Sequence, residues 1–167
     1  MSLTDEVLAA NQRYARDFTL GHLPIPPARK LAIVACMDAR LAIEPMLGLQ
    51  TGDAHIIRNA GGIVSEDALR SLIISHHLLG TQEFIIINHT DCGMLTFRDA
   101  ELRERLRQQS GVDTVAPAQF YAFADLEDNV RAQIEKVRSH PWIPRHISVR
   151  GFIYDVKTGQ LREVTAA

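Results

Sequence analysis

Leu3, Val7, Ala10, Tyr14 and Phe18 recur every three or four positions, the spacing that places them along one face of an α-helix. Thr4 reads as its cap, and Asp5 and Glu6 fall in the first turn, where negative charge is favourable. Gly21, Pro24, Pro26 and Pro27 then impose a loop over residues 19–29. The run Leu31-Ala-Ile-Val-Ala35 is apolar without alternation, which predicts a strand covered on both faces. A short helix is expected around residues 44–49, with Pro45 in its first turn and Gly52 closing it. A second strand over residues 54–58 leads into Gly61-Gly62, and Ser65 opens a helix that turns Leu69, Leu72, Ile73 and Leu79 inward until Gly80 ends it. Glu83-Phe-Ile-Ile-Ile-Asn88 carries the clearest strand signal in the chain. Thr96 with Asp99 forms a capping pattern ahead of Leu102 and Leu106, and Asp125 precedes a helix with Leu126, Val130, Ile134 and Val137 on one face. Pro141 lies beyond its end; residues 146–156 read as a strand, and Lys157-Thr-Gly159 turns the chain back into residues 161–164 as a hairpin.

Strands alternating with helices predict an α/β fold: a mainly parallel central sheet of about five strands with flanking helices, made mixed by the C-terminal β-hairpin. At 167 residues the chain fits one domain, 1–167, in which a helix and proline-rich arm (1–30) precede an α/β core (31–167). A formal net charge of −2 offers no field for gripping phosphate backbones or anionic lipid, so no nucleic-acid or membrane partner is expected. Asp5, Glu6, Arg13, Arg16 and Asp17 interrupt any apolar leader, and the longest apolar run is far short of the ~20 residues that cross a bilayer. The expected address is the cytoplasm. There, a lone pair of cysteines is more often metal-binding or catalytic than a structural disulfide.

The chemistry concentrates where open parallel sheets gather ligands, at the carboxyl ends of strands. Cys36 follows the first buried strand and His89 the third, while Cys92 lies three positions on, a step that returns to the same face of a helical turn. Two thiolates and one imidazole match a zinc site with an open fourth position. Three other readings remain: Asp38 closing the site as a fourth ligand in a non-catalytic zinc module, a thiol redox pair, and cysteines that are merely small buried side chains.

Four segments resemble the β-class carbonic anhydrases: Cys36-Met-Asp38-Ala-Arg40, Arg58-Asn-Ala-Gly61, His89-Thr-Asp-Cys92-Gly93 and Gly151-Phe-Ile-Tyr-Asp-Val-Lys-Thr-Gly159. The resemblance implies one zinc ion per chain on Cys36, His89 and Cys92, and reversible hydration of carbon dioxide to bicarbonate and a proton through a zinc-bound hydroxide. It implies an Asp38–Arg40 dyad as the catalytic pair, with Asp38 also a conditional fourth ligand. It further implies a homodimer or an assembly of dimers in which the N-terminal helix packs on a partner subunit. Relatives with the same zinc shell hydrolyse carbonyl sulfide or carbon disulfide, which leaves those substrates as the alternative. Two thiolates offset the ion's charge, so a preference for alkaline conditions is expected. Arg150 departs from the histidine that many relatives carry before the glycine.

Gly61 and Gly62 are candidate substrate-binding positions, since backbone without a side chain admits a close ligand; a turn needing positive φ explains them equally well. Asp91, between the ligands, has two readings, a residue that steadies the site and, the plainer one, an exposed carboxylate; Tyr154 and Asp155 read as structural. His22, His55, His76, His77, His140 and His146 have no ligand partner at useful spacing, and the segment mixing Arg98, Arg103, Arg105 and Arg107 with Glu101 and Glu104 reads as a solvated helix face.

Overall fold

A computed structural model describes residues 2–165. The N-terminal helix α1 (Leu3–Arg16) is capped by Ser2 rather than Thr4: the Ser2 hydroxyl accepts from the Asp5 N–H while the Asp5 carboxylate accepts from the Ser2 N–H, a reciprocal cap two residues earlier than the sequence pattern suggested. Within this chain α1 buries none of its residues. The apolar run becomes β1 (Leu31–Cys36), and helix α2 (Ile43–Leu47) ends at Gly48, in the left-handed conformation at φ 65°, so Gly48 and not Gly52 closes it. β2 (Ala54–Asn59), α3 (Glu66–Leu79, capped by Ser65 and closed by Gly80) and β3 (Glu83–His89) follow as expected from their patterns.

Helix α4 (Asp99–Ser110) is not capped by Thr96, whose hydroxyl donates to the Gly93 carbonyl; Glu101 instead accepts from the Arg98 N–H. The Asp99 carboxylate turns away and accepts from the N–H groups of Phe120, Tyr121 and Ala122, while Arg103 donates to the carbonyls of Thr114, Pro117 and Ala118. Together they strap the long loop before α5 (Leu126–Arg138) onto α4. β4 (Ser148–Tyr154) and β5 (Leu161–Val164) complete the chain as the C-terminal hairpin.

The five strands lie in the order β2-β1-β3-β4-β5, parallel except for the β4–β5 pair. β1 sends successive side chains to opposite faces. Ala32 and Val34 join α3 and α5 in one buried cluster with Leu72, Val130 and Ile134, and Ile33 and Ala35 join Leu41, Ile43 and Leu49 in the other. Both faces are covered, so β1 needs apolar residues at every position and shows no alternation. The chain leaves β1 for β2 on one side and returns to β3 on the other, so strand order switches beside the carboxyl ends of β1 and β3.

Candidate active site

Cys36 is the last residue of β1 and His89 the last of β3, and the parallel register, Ala35 beside Ile87, brings the two strand ends side by side. Cys92 reaches them by a route other than a helical turn. Thr90 and Asp91 make a tight turn, with Asp91 in the left-handed region at φ 56°, and this folds Cys92 back over the end of β3. The Sγ atoms of Cys36 and Cys92 and a ring nitrogen of His89 then lie within 4.8 Å of one another, all three residues buried.

The imidazole is set for a metal. His89 Nδ1 lies 2.8 Å from the Thr90 carbonyl, which only accepts, so Nδ1 carries the proton and Nε2 presents its lone pair. Nε2 is the one buried side-chain nitrogen or oxygen among the described residues without a hydrogen-bond partner, a costly arrangement that a bound cation would relieve. The donor set, two sulfurs and one nitrogen, suits zinc. Without the ion the two thiols titrate as a pair. The neighbouring Cys92 thiol favours the Cys36 thiolate against the opposing effect of burial, and ionisation of Cys92 is pushed up by that same neighbour and by burial.

Asp38 stands beside this triangle, its Oδ2 3.7 Å from His89 Nε2. Arg40 grips it with two prongs, Nε to Oδ1 at 2.9 Å and Nη2 to Oδ2 at 2.8 Å, and the Arg40 backbone N–H adds a third bond to Oδ1. Those hydrogen bonds hold the carboxyl far below the usual carboxylate range. The same guanidinium reaches Asp91 across the turn.

Behind the triangle, Arg58 donates to the Cys36 carbonyl at 3.0 and 2.9 Å and to the Asp38 carbonyl at 2.7 Å, fixing the loop that carries both. Asn59 closes the turn after β2 through both backbone groups of Ile63, and the buried Asn88 amide donates to the carbonyls of Gly61 and Gly62. The triangle opens into a cavity of about 600 Å³ lined by Met37, Asp38, Gly61, Met94, Phe97 and Leu102, among others.

A family model described as carbonic anhydrase matches residues 31–161. Beta-carbonic anhydrase 1 of Mycobacterium tuberculosis is 47% identical over 166 residues, covering 99% of each chain. The chain belongs to the β-class carbonic anhydrase family. A carbonic anhydrase structure from Streptococcus mutans superposes with a TM-score of 0.92 at 47% identity, covering 99% of both chains. A carbon disulfide hydrolase of Acidithiobacillus thiooxidans is 34% identical, over 97% of this chain and 90% of its own. β-Carbonic anhydrases are zinc enzymes, and the Cys36–His89–Cys92 group is positioned to bind one ion.

In this carbonic anhydrase Gly61 lines the cavity, whereas Gly62 packs behind it, where a Cβ would stand 2.8 Å from the Cys36 N, the Ile87 O and the Asn88 Nδ2. Arg150 pairs with Glu163 across the β4–β5 hairpin and stacks over Phe152, away from the metal position. Sequence reading missed part of α4. Arg107 and Glu104 pair at the surface as a solvated face would, but Glu101, Leu102 and Arg105 line the cavity. The i,i+4 spacing of Glu101 and Arg105 puts them on one face, yet nothing local distinguishes a cavity-facing pair from a solvent-facing one.

Proposed function

We propose that this member of the β-class family catalyses the reversible hydration of carbon dioxide to bicarbonate and a proton, with one zinc ion held by Cys36, His89 and Cys92. The observation that carries this reading is the unpartnered His89 Nε2, buried against two thiols at the floor of an open cavity. A zinc ion in that place would supply a Lewis acid that lowers the pKa of its water, less strongly than on three neutral ligands because two thiolates offset its charge. The carboxylate of Asp38 accepts a hydrogen bond from the attacking water and aims its lone pair at the substrate carbon. Held ionised by Arg40, that carboxyl orients without taking up the proton, which leaves through the open cavity. Arg40 fixes the orientation by its two-pronged grip. Gly61 presents bare backbone to the substrate, and Gly62 holds that backbone against the ends of β1 and β3. Released from Arg40, Asp38, whose Oδ2 stands 3.7 Å from His89 Nε2, would be the residue placed to hold the metal as a fourth ligand and close the site.

Met37, Met94, Phe97 and Leu102 make part of the cavity wall apolar, which suits any of these small linear substrates, and the similarity to a carbon disulfide hydrolase makes hydrolysis of carbon disulfide or carbonyl sulfide the second reading. Metal analysis with stopped-flow assays on all three substrates separates them. One zinc per chain and rapid carbon dioxide hydration, abolished in Cys36→Ser, supports the first reading; a zinc-loaded protein that turns over only the sulfur compounds overturns it. A protein that binds zinc but neither turns over any of the three nor takes up azide is the closed module instead.

We further read the chain as a homodimer or an assembly of dimers. Leu3, Val7 and Tyr14 on α1, and Phe18 just beyond the end of that helix, are each 47–75% exposed, and an apolar face of this kind gains stability only by being covered. The single-domain reading rests on near-complete coverage of full-length relatives. Cytoplasmic residence fits free cysteines that must stay reduced to bind metal. No helix among the described residues is long and apolar enough to cross a membrane.

A further inference from the structure

Asp91 occupies the turn between two metal-binding residues, yet its backbone sits at φ 56°, where a non-glycine residue carries a conformational cost. Its side chain is 73% exposed and fills no core position. Glycine or asparagine would serve the turn at least as well. What aspartate adds is a contact with Arg40. Arg40 Nη1 donates to Asp91 Oδ2 at 2.9 Å, and Nη2 donates to the Asp91 carbonyl at 3.1 Å.

These bonds do not compete with those to Asp38. Nε and one Nη2 hydrogen serve Asp38, while one Nη1 hydrogen and the second Nη2 hydrogen serve Asp91. A planar guanidinium held at both edges cannot rotate about its stem, whereas one held by Asp38 alone would follow that carboxylate wherever it went. Asp38 Oδ2 needs only a small displacement to enter the metal position, because it already stands 3.7 Å from His89 Nε2.

Resting on the proposed zinc site, we propose that Asp91 is a positioning residue: it anchors the outer edge of Arg40, keeps that arginine clamped on Asp38, and so biases Asp38 away from the metal. Asp91 touches neither substrate nor ion and acts only through Arg40.

The test compares wild type, Asp91→Asn, Arg40→Gln and the double variant, each loaded with cobalt as a spectroscopic stand-in for zinc. Azide affinity is read from the visible absorption, and kcat for carbon dioxide hydration is measured on the zinc forms. Asparagine tolerates the left-handed turn, so folding and metal content should match wild type. Azide binding and kcat should each fall roughly two- to fivefold in Asp91→Asn, the range set by a solvent-exposed ion pair. In the Arg40→Gln background the Asp91 substitution should change neither. Unchanged azide affinity in Asp91→Asn overturns the proposal, as does a loss of the same size with and without Arg40. If the wild type binds cobalt but hydrates no carbon dioxide, the catalytic reading fails while the azide series still decides the role of Asp91.

Discussion

Gly62→Ala should damage the fold and the metal site together. Gly62 sits at φ 62°, where an L-residue loses about 1–2 kcal/mol. A Cβ there would also stand 2.8 Å from the Cys36 backbone nitrogen, the Ile87 carbonyl oxygen and the Asn88 side chain. Two of those neighbours are backbone atoms inside the sheet and cannot swing aside, so an overpacking cost of about 1–3 kcal/mol adds to the conformational one. Gly48 supplies the control, because it has nearly the same φ, 65°, and its added Cβ meets nothing within 4 Å. Gly48→Ala should therefore lose only the conformational part. Urea unfolding of the zinc-loaded proteins at matched slope reads both differences. Relief of the clash would also move the Cys36 end of β1 relative to His89, so Gly62→Ala should release zinc to a chelator faster than Gly48→Ala does. Equal destabilisation of the two variants within about 0.5 kcal/mol would show that the tight contact between this turn and the strand ends is not what constrains Gly62.

Acid should loosen the strapped loop. Burial acts to raise the Asp99 pKa, but the three N–H bonds from Ala122, Phe120 and Tyr121 prevail and hold it below its ordinary 3.8. The stabilisation is therefore fully present above that value and fades as pH falls through the depressed one, so Asp99→Asn should cost about 1 kcal/mol at pH 7 and progressively less below pH 4, by urea unfolding at each pH. A cost that does not shrink in acid would refute this. Val7→Asp, on the exposed face of α1, should shift the protein to smaller species in sedimentation velocity while leaving its circular dichroism unchanged; an unchanged assembly size removes α1 from the interface. Stripping the metal with a chelator should lower the unfolding temperature and render Cys36 and Cys92 reactive to a thiol reagent, since both are free in the chain. Equal stability and unreactive thiols would argue against a metal on those sulfurs.

The parts of this carbonic anhydrase that were legible in its sequence are those fixed over a few neighbouring residues. An unbroken apolar run marks β1, β-branched residues mark β3, and Ser65 and Asp125 cap their helices, because propensity and capping act within one or two turns. The ligand types were legible too, through the chemistry of two thiolates and an imidazole. Near misses also have local causes: Ser2 displaced Thr4 as a cap and Gly48 displaced Gly52 as a stop, since several suitable residues lie close together and only backbone geometry chooses among them.

Only the tertiary structure decided what meets what. Register between β1 and β3 brings Cys36 to His89, and the left-handed turn at Asp91, not a helical step, brings in Cys92. Arg40 finds Asp91 from 51 positions away, and Glu101 and Arg105 line a cavity whose other walls come from the ends of β1 and β3 and the segments that follow the strands. Such contacts depend on strand pairing and layer packing across the whole chain, whereas the residues that make them look locally like ordinary surface charges.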